Sequence, residues 1–264
     1  MKPVSTVSTS TAKVYYTASG SGPGLALVHG TGADSASNFG HLVERFADRR
    51  TVITPDYAGS GATEDDGRPI TVEALTEQVA AVLRDAADEP VDLAGFSLGA
   101  VVAASVAARH PELVRRLVLI AGWQDSSDPR HRLAFDLWRR LADLDARAYA
   151  QMINLLLFTP GFLSRMGADA LEEAVAGTAC SDGTNRQIDL GLAADITGLT
   201  PKITAPTLVI GCTHDQLVPV EHSRQLHESI PGSRYLELDS GHLVVAERPD
   251  ELVAAVRDFL HDEN

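Results

Sequence analysis

Two cysteines in 264 residues are too few for a disulfide framework, and Cys180 and Cys212 form no metal-binding spacing. One bridge stays open on sequence alone. Cys212 closes the apolar run 207–211, which favours a buried free thiol. Long hydrophobic runs are missing too. The longest uncharged apolar stretch, 93–108, is shorter than the ~20 residues of a membrane span, and residues 1–8 lack the continuous apolar segment of a secretory signal. Basic residues are scarce, 22 against 36 acidic, giving a net charge of −14. That balance excludes nucleic acid and anionic membrane surfaces as expected partners and suits the solubility of a cytoplasmic protein. Only 3 of those 22 are lysine, an arginine bias expected of a GC-rich bacterial source. No tandem repeat or low-complexity segment is present, and nothing in the sequence specifies an oligomeric state.

What is present is an alternation. Short β-branched or apolar runs at 13–17, 25–28, 51–54, 91–94, 116–120, 207–211 and 234–238 read as strands. Amphipathic helical windows fall between or after them at 38–47, 72–86, 98–109, 221–229 and 249–261. This is the pattern of a mostly parallel sheet covered on both faces, within reach of one large α/β domain. The glycine-rich segment 19–24 reads as the turn of an early hairpin. Between about 123 and 199 the alternation stops. That stretch is helical throughout and reads as a cap inserted over the C-terminal edge of the sheet, where open α/β sheets place their sites.

Gly95-Phe96-Ser97-Leu98-Gly99 sits between the strand at 91–94 and the small-residue helix that follows. By chance such a pentapeptide recurs in roughly one chain in ten of this length, so its position is what counts. A strand-to-helix turn holds a serine hydroxyl exposed, and flanking glycines let strand and helix approach closely. Earlier, His29-Gly30-Thr31-Gly32 follows a strand as a flexible loop able to aim a backbone N–H into a site. Acyl transfer passes through an oxyanion that two preorganised amides stabilise, and those of Thr31 and Leu98 are the candidates. A dinucleotide fingerprint begins at Gly30-Thr31-Gly32 but fails, since Ser35 stands where its third glycine belongs.

Downstream, Asp215 lies on the loop past the run at 207–211, and His242 lies in a Gly-His turn past the last strand. The order Ser…Asp…His, each at a strand end, gives a nucleophile in Ser97, a base in His242 and an orienting acid in Asp215. Asp125 is the alternative acid, and His29, His110 and His214 are alternative bases. No set of His, Asp and Glu shows metal-ligand spacing; His222 and His227 lie at a poor helical offset. No metal or cofactor is therefore expected.

These motifs together resemble the α/β-hydrolases, of the cofactor-free serine type, over nearly the whole chain. The resemblance implies an α/β-hydrolase fold: a mostly parallel, twisted, eight-stranded sheet with helices on both faces, its first strand or two preceding Leu25. The core would comprise 1–122 and 200–264, with the helical cap at 123–199. It also makes the segment 55–61 a family loop in which Asp56 is structural. Serine rather than aspartate at the elbow favours acyl chemistry over displacement at saturated carbon. The expected activity is hydrolysis of a carboxylic ester or lactone of a small-to-medium apolar substrate. Thioester and carbon–carbon bond hydrolysis, perhydrolysis, and a non-hydrolytic ligand-binding or cyclase role on the same fold stay open. Candidate substrate contacts are His29 beside the elbow and, from the cap, Trp123, Trp138, Met152, Leu156 and Phe158, with Phe162 adding apolar character.

Overall fold

The computed structural model describes residues 4–261. The chain opens with β1 (Val4–Ser8), β2 (Ala12–Gly20) and β3 (Gly24–Val28), followed by α1 (Ser35–Ala47), β4 (Thr51–Asp56), the two-residue β5 (Glu64–Asp65) and α2 (Val72–Ala86). Then come β6 (Val91–Phe96), α3 (Leu98–Arg109), β7 (Val114–Ile120) and four helices in succession: α4 (Pro129–Leu144), α5 (Ala146–Leu157), α6 (Pro160–Gly177) and α7 (Asp182–Ala193). β8 (Thr207–Cys212), α8 (Val220–Ser229), β9 (Arg234–Leu238), the short α9 (Val244–Glu247) and α10 (Pro249–His261) complete the core.

The sheet runs β1-β2-β4-β3-β6-β7-β8-β9, with β5 pairing onto β2. From β4 to β9 every neighbouring pair is parallel, whereas β1 and β2 join antiparallel at one edge. Central strands such as β6 and β8 are buried at every residue, because helices cover both faces. On one face Phe39, Leu42 and Phe46 of α1 pack with Val256 and Phe259 of α10. The other carries α2, α3 and α8 through residues such as Leu75, Val101 and Leu226. α3 shows no apolar stripe because it is buried nearly all round, and its small residues let it sit close to the sheet.

The expected fold class, a mostly parallel α/β-hydrolase sheet with a helical insertion, holds, with β5 as a ninth, minimal strand. Segment 19–24 turns as expected, with Gly20 and Gly22 at positive φ, but it does not close a hairpin. β4 lies between β2 and β3, so the strands on either side of the turn never pair. Sequence periodicity placed the start of α1 too late. Asp34 accepts the Ser37 N–H at 2.7 Å and begins the helix at Ser35 with a capping box.

α4 to α7 are inserted between β7 and β8. At the neck of this insertion Asp125 and Asp195 form an isolated bridge, and the Ile196 N–H donates to Gln124 O at 2.7 Å. Chain direction reverses between β3 and β6: from β3 the chain passes to β4 on one side, then returns to lay β6 on the other. The loops leaving the C-terminal ends of β3 and β6 therefore flank a crevice, the standard place for a site in an open α/β sheet. No helix among the described residues is long and apolar enough to cross a membrane.

Candidate active site

Ser97 leaves β6 with φ 56°, one of two non-glycine residues at positive φ among those described. Such a conformation costs of order 1–3 kcal/mol and persists only where the surroundings impose it. Here they do. The Ser97 N–H donates to Ile120 O on β7 at 2.8 Å, while its own C=O accepts the Ala100 N–H at 2.9 Å. The flanking glycines are required by contact: a Cβ on Gly95 would overlap Gly99 O, and one on Gly99 would overlap Val28 O.

Two further strand ends reach this serine. His242, past β9, places Nε2 2.9 Å from Ser97 Oγ and Nδ1 2.6 Å from Asp215 Oδ2. All three are buried, at 4%, 2% and 4% exposure for Ser97, His242 and Asp215, so water does not compete for these bonds. Asp215 is itself fixed: its Oδ1 accepts the N–H groups of Leu217 and Val218 at 2.9 and 2.7 Å. Oδ2 is left to accept the Nδ1–H of His242. That tautomer leaves Nε2 as an acceptor for the serine hydroxyl proton, the arrangement that makes an alcohol nucleophilic.

The Leu98 N–H is the first of α3 and has no acceptor within its own helix. The Leu98 side chain is wholly buried, so only its backbone can serve the site. Thr31 belongs to a loop pinned on both sides: Gly30 N–H donates to Asn38 Oδ1 at 2.8 Å, and Gly32 N–H to Gln187 Oε1 at 2.9 Å. Thr31 lines the same cavity as Ser97, and Leu98 follows Ser97 directly at the start of α3. His29 takes a different place from the expected substrate contact. It is fully buried, stacked on Tyr57 at 3.9 Å between ring centroids, and its Nδ1 bonds Gly30 O at 2.9 Å. Burial lowers its pKa and keeps it neutral. Gly30 O and the Thr31 N–H share one peptide plane, so this bond bears on the orientation of the loop.

Ser97 and His242 line a cavity of about 330 Å³, walled by the loop 30–33 and by Trp138, Tyr149, Ile153 and Leu157 of the cap. Trp138 is the one cap residue expected at the site that lines it. Trp123 is instead fully buried against His131 and Phe135. Met152 and Leu156 pack into the main core cluster. On α5 the cavity face is the row 149, 153, 157, and those two lie one position, about 100° of helix, away from it. Phe158, just past α5, stacks on Phe162 at 5.1 Å. Periodicity shows that α5 has apolar rows but not which row meets Ser97. Tyr149, Ile153 and Leu157 were accordingly missed.

The alternatives separate cleanly. Asp125 bonds the backbone and hydroxyl of its neighbour Ser127 rather than His242. His110 pairs with Glu77 and His214 with Asp239, at 2.9 and 2.8 Å. Asp56 accepts the Ser35 N–H at 2.8 Å, a structural bond as expected. Cys212 is buried and its thiol pKa is pushed well up by that burial.

The sequence profile of the alpha/beta hydrolase family matches residues 25–256. The chain belongs to that family. It is similar to the pyrrolizixenacetamide deacetylase of Xenorhabdus hominickii, 41% identical over 96% of each chain. It is also similar to a pimeloyl acyl-carrier protein methyl ester esterase of Neisseria meningitidis, 29% identical over 89% of this chain and 92% of the other. Among solved structures, the enol-lactonase of Burkholderia xenovorans LB400 superposes with a TM-score of 0.85 at 25% identity, covering 98% of this chain and 99% of that one.

Proposed function

We propose that this hydrolase cleaves a carboxylic ester or lactone of a small-to-medium apolar substrate through an acyl-enzyme on Ser97. The observation behind the proposal is the buried relay from Ser97 Oγ to His242 Nε2 at 2.9 Å and from His242 Nδ1 to Asp215 at 2.6 Å, opening on a cavity whose cap side is walled by Trp138, Tyr149, Ile153 and Leu157. In the first half-reaction Oγ attacks the carbonyl carbon as its proton passes to Nε2. The oxyanion receives the N–H groups of Thr31 and Leu98, and His242 returns the proton to the departing alcohol. Water then repeats the sequence on the acyl-enzyme and releases the acid. A cavity of about 330 Å³ is at the small end of ligand sites. The core would span 1–122 and 200–264 and the cap 123–199, with the cap walls selecting the substrate.

A second reading is amide deacylation, favoured by the 41% identity to a protein named as a deacetylase. The same residues would serve it, His242 protonating a leaving amine instead of an alcohol. A fluorophosphonate should label Ser97 in the native enzyme and leave Ser97→Ala unlabelled. A panel of acetate esters, lactones, thioesters and N-acetyl amides decides the substrate class. Labelling of wild type and variant alike, or turnover unaffected in Ser97→Ala, would reject both readings.

A further inference from the structure

The cap also touches the core away from α5, behind the loop 30–33 that walls the cavity. Helix α7 begins against the loop that follows β4, and it comes so close that a Cβ on Gly183 would overlap Gly59 O. One turn further on, this approach delivers Gln187 into the core with no exposed surface. Both ends of its amide are used. Nε2 donates to Ala58 O at 3.1 Å and to Ser60 Oγ at 2.8 Å, and Oε1 accepts the N–H of Gly32 at 2.9 Å. Gly32 has φ +70° and would place a Cβ 3.0 Å from Thr184 Cγ2, so α7 also bounds it sterically.

We infer that Gln187 is a positioning residue of the hydrolytic site, through which the seated cap sets the loop that presents the Thr31 N–H to the oxyanion. The inference rests on the serine-hydrolase reading. A glycine-rich loop has many accessible conformations, and an N–H stabilises an oxyanion only when it is aimed before reaction. Three bonds aim this one: Asn38 on Gly30 N–H, His29 on Gly30 O, and Gln187 on Gly32 N–H. The first two come from the core. The third comes from a helix 155 positions away in sequence, so the loop is complete only when α7 is docked.

Gln187→Met keeps the length of the side chain and removes both hydrogen-bonding ends. An alkylboronic acid, which forms a tetrahedral adduct on an active serine, reads the oxyanion site without knowledge of the natural substrate. Against wild type, the variant should bind the boronate about 10- to 100-fold more weakly, below or near the loss from deleting one oxyanion donor. On an ester substrate kcat should fall by a similar factor with KM within about threefold, since ground-state contacts are untouched. Arg186→Met is the control: it cuts the adjacent bonds to Asp65, at 2.9 and 3.0 Å, and leaves Gly32 alone. It should change boronate affinity less than threefold by the same reasoning. Equal losses in the two variants, or boronate affinity in Gln187→Met within about twofold of wild type, would overturn the inference. Hydrogen exchange in the unaltered enzyme gives an independent reading: adduct formation should slow exchange across 182–193, and unchanged exchange there overturns it. Absence of any boronate adduct on wild-type Ser97 would bring down the hydrolase reading and this inference together, an outcome distinct from a silent Gln187→Met.

Discussion

Replacing Asp215 by asparagine exchanges one oxygen for an NH2 group and should nearly abolish activity. Oδ1 of Asp215 accepts two backbone N–H groups, from Leu217 and Val218. An asparagine that turned its NH2 toward them would oppose donors with donors and strand two buried amides, at roughly 1–3 kcal/mol each. The variant side chain is therefore held with its carbonyl there and its NH2 toward His242. Facing a donor, Nδ1 must accept, which puts the ring proton on Nε2, the atom 2.9 Å from Ser97 Oγ. A protonated Nε2 cannot take the serine proton. The corresponding change in a serine protease costs about 10⁴ in kcat, equivalent to about 5.5 kcal/mol of barrier at 1.36 kcal/mol per decade. The assay is kcat/KM for a short-chain nitrophenyl ester at neutral pH, with circular dichroism to verify folding. Asp215→Ala, which frees the imidazole to choose its tautomer, should be no worse than asparagine by more than about tenfold. A loss below about a hundredfold in Asp215→Asn, or an asparagine variant far more active than alanine, would refute the tautomer argument.

Acid should loosen the junction between cap and core. His131 of α4 is fully buried, and burial chiefly lowers its pKa from 6.5 to about 4; it faces Asp125, Asp128 and His222, whose own pKa burial also lowers. The unfolded chain thus binds more protons between pH 6.5 and about 4. Stability present above pH 6.5 is lost as pH falls through that window, by up to about 3 kcal/mol for His131. His131→Phe should flatten the acid limb in urea melts, and Gly191 O would keep Ser126 Oγ as a donor at 2.7 Å; an unchanged limb would contradict the assignment. Gly183→Ala forces a Cβ onto Gly59 O. Overpacking of about 1–3 kcal/mol should lower Tm by roughly 3–10 °C and reduce boronate affinity, and a variant as stable as wild type would show that α7 can back away.

The convergence of Ser97, Asp215 and His242 was legible because each sits within a few residues of a strand end and carries its own local signature. Gly95 and Gly99 mark Ser97, a Gly-His turn marks His242, and a strand terminus precedes Asp215. Strand order was partly hidden: the turn at 19–24 looks like any hairpin, and only β4, arriving later in the chain, decides that β2 and β3 stay apart. The cap was recognisable as helical and as an insertion, yet its cavity face was not. Rows of apolar residues on α5 look alike until the helix is packed, and rotation by one residue exchanges Ile153 for Met152.

Sequence alone thus determined the reaction class, through residue types tied to short-range backbone geometry. Tertiary structure alone decided which cap residues line the cavity beside Ser97, that His29 stacks on Tyr57 and bonds Gly30 O, and that Gln187 bonds Gly32. Those outcomes depend on the phase and seating of helices, set by packing between segments distant in sequence, 155 positions apart for Gln187 and Gly32, and no local pattern encodes them.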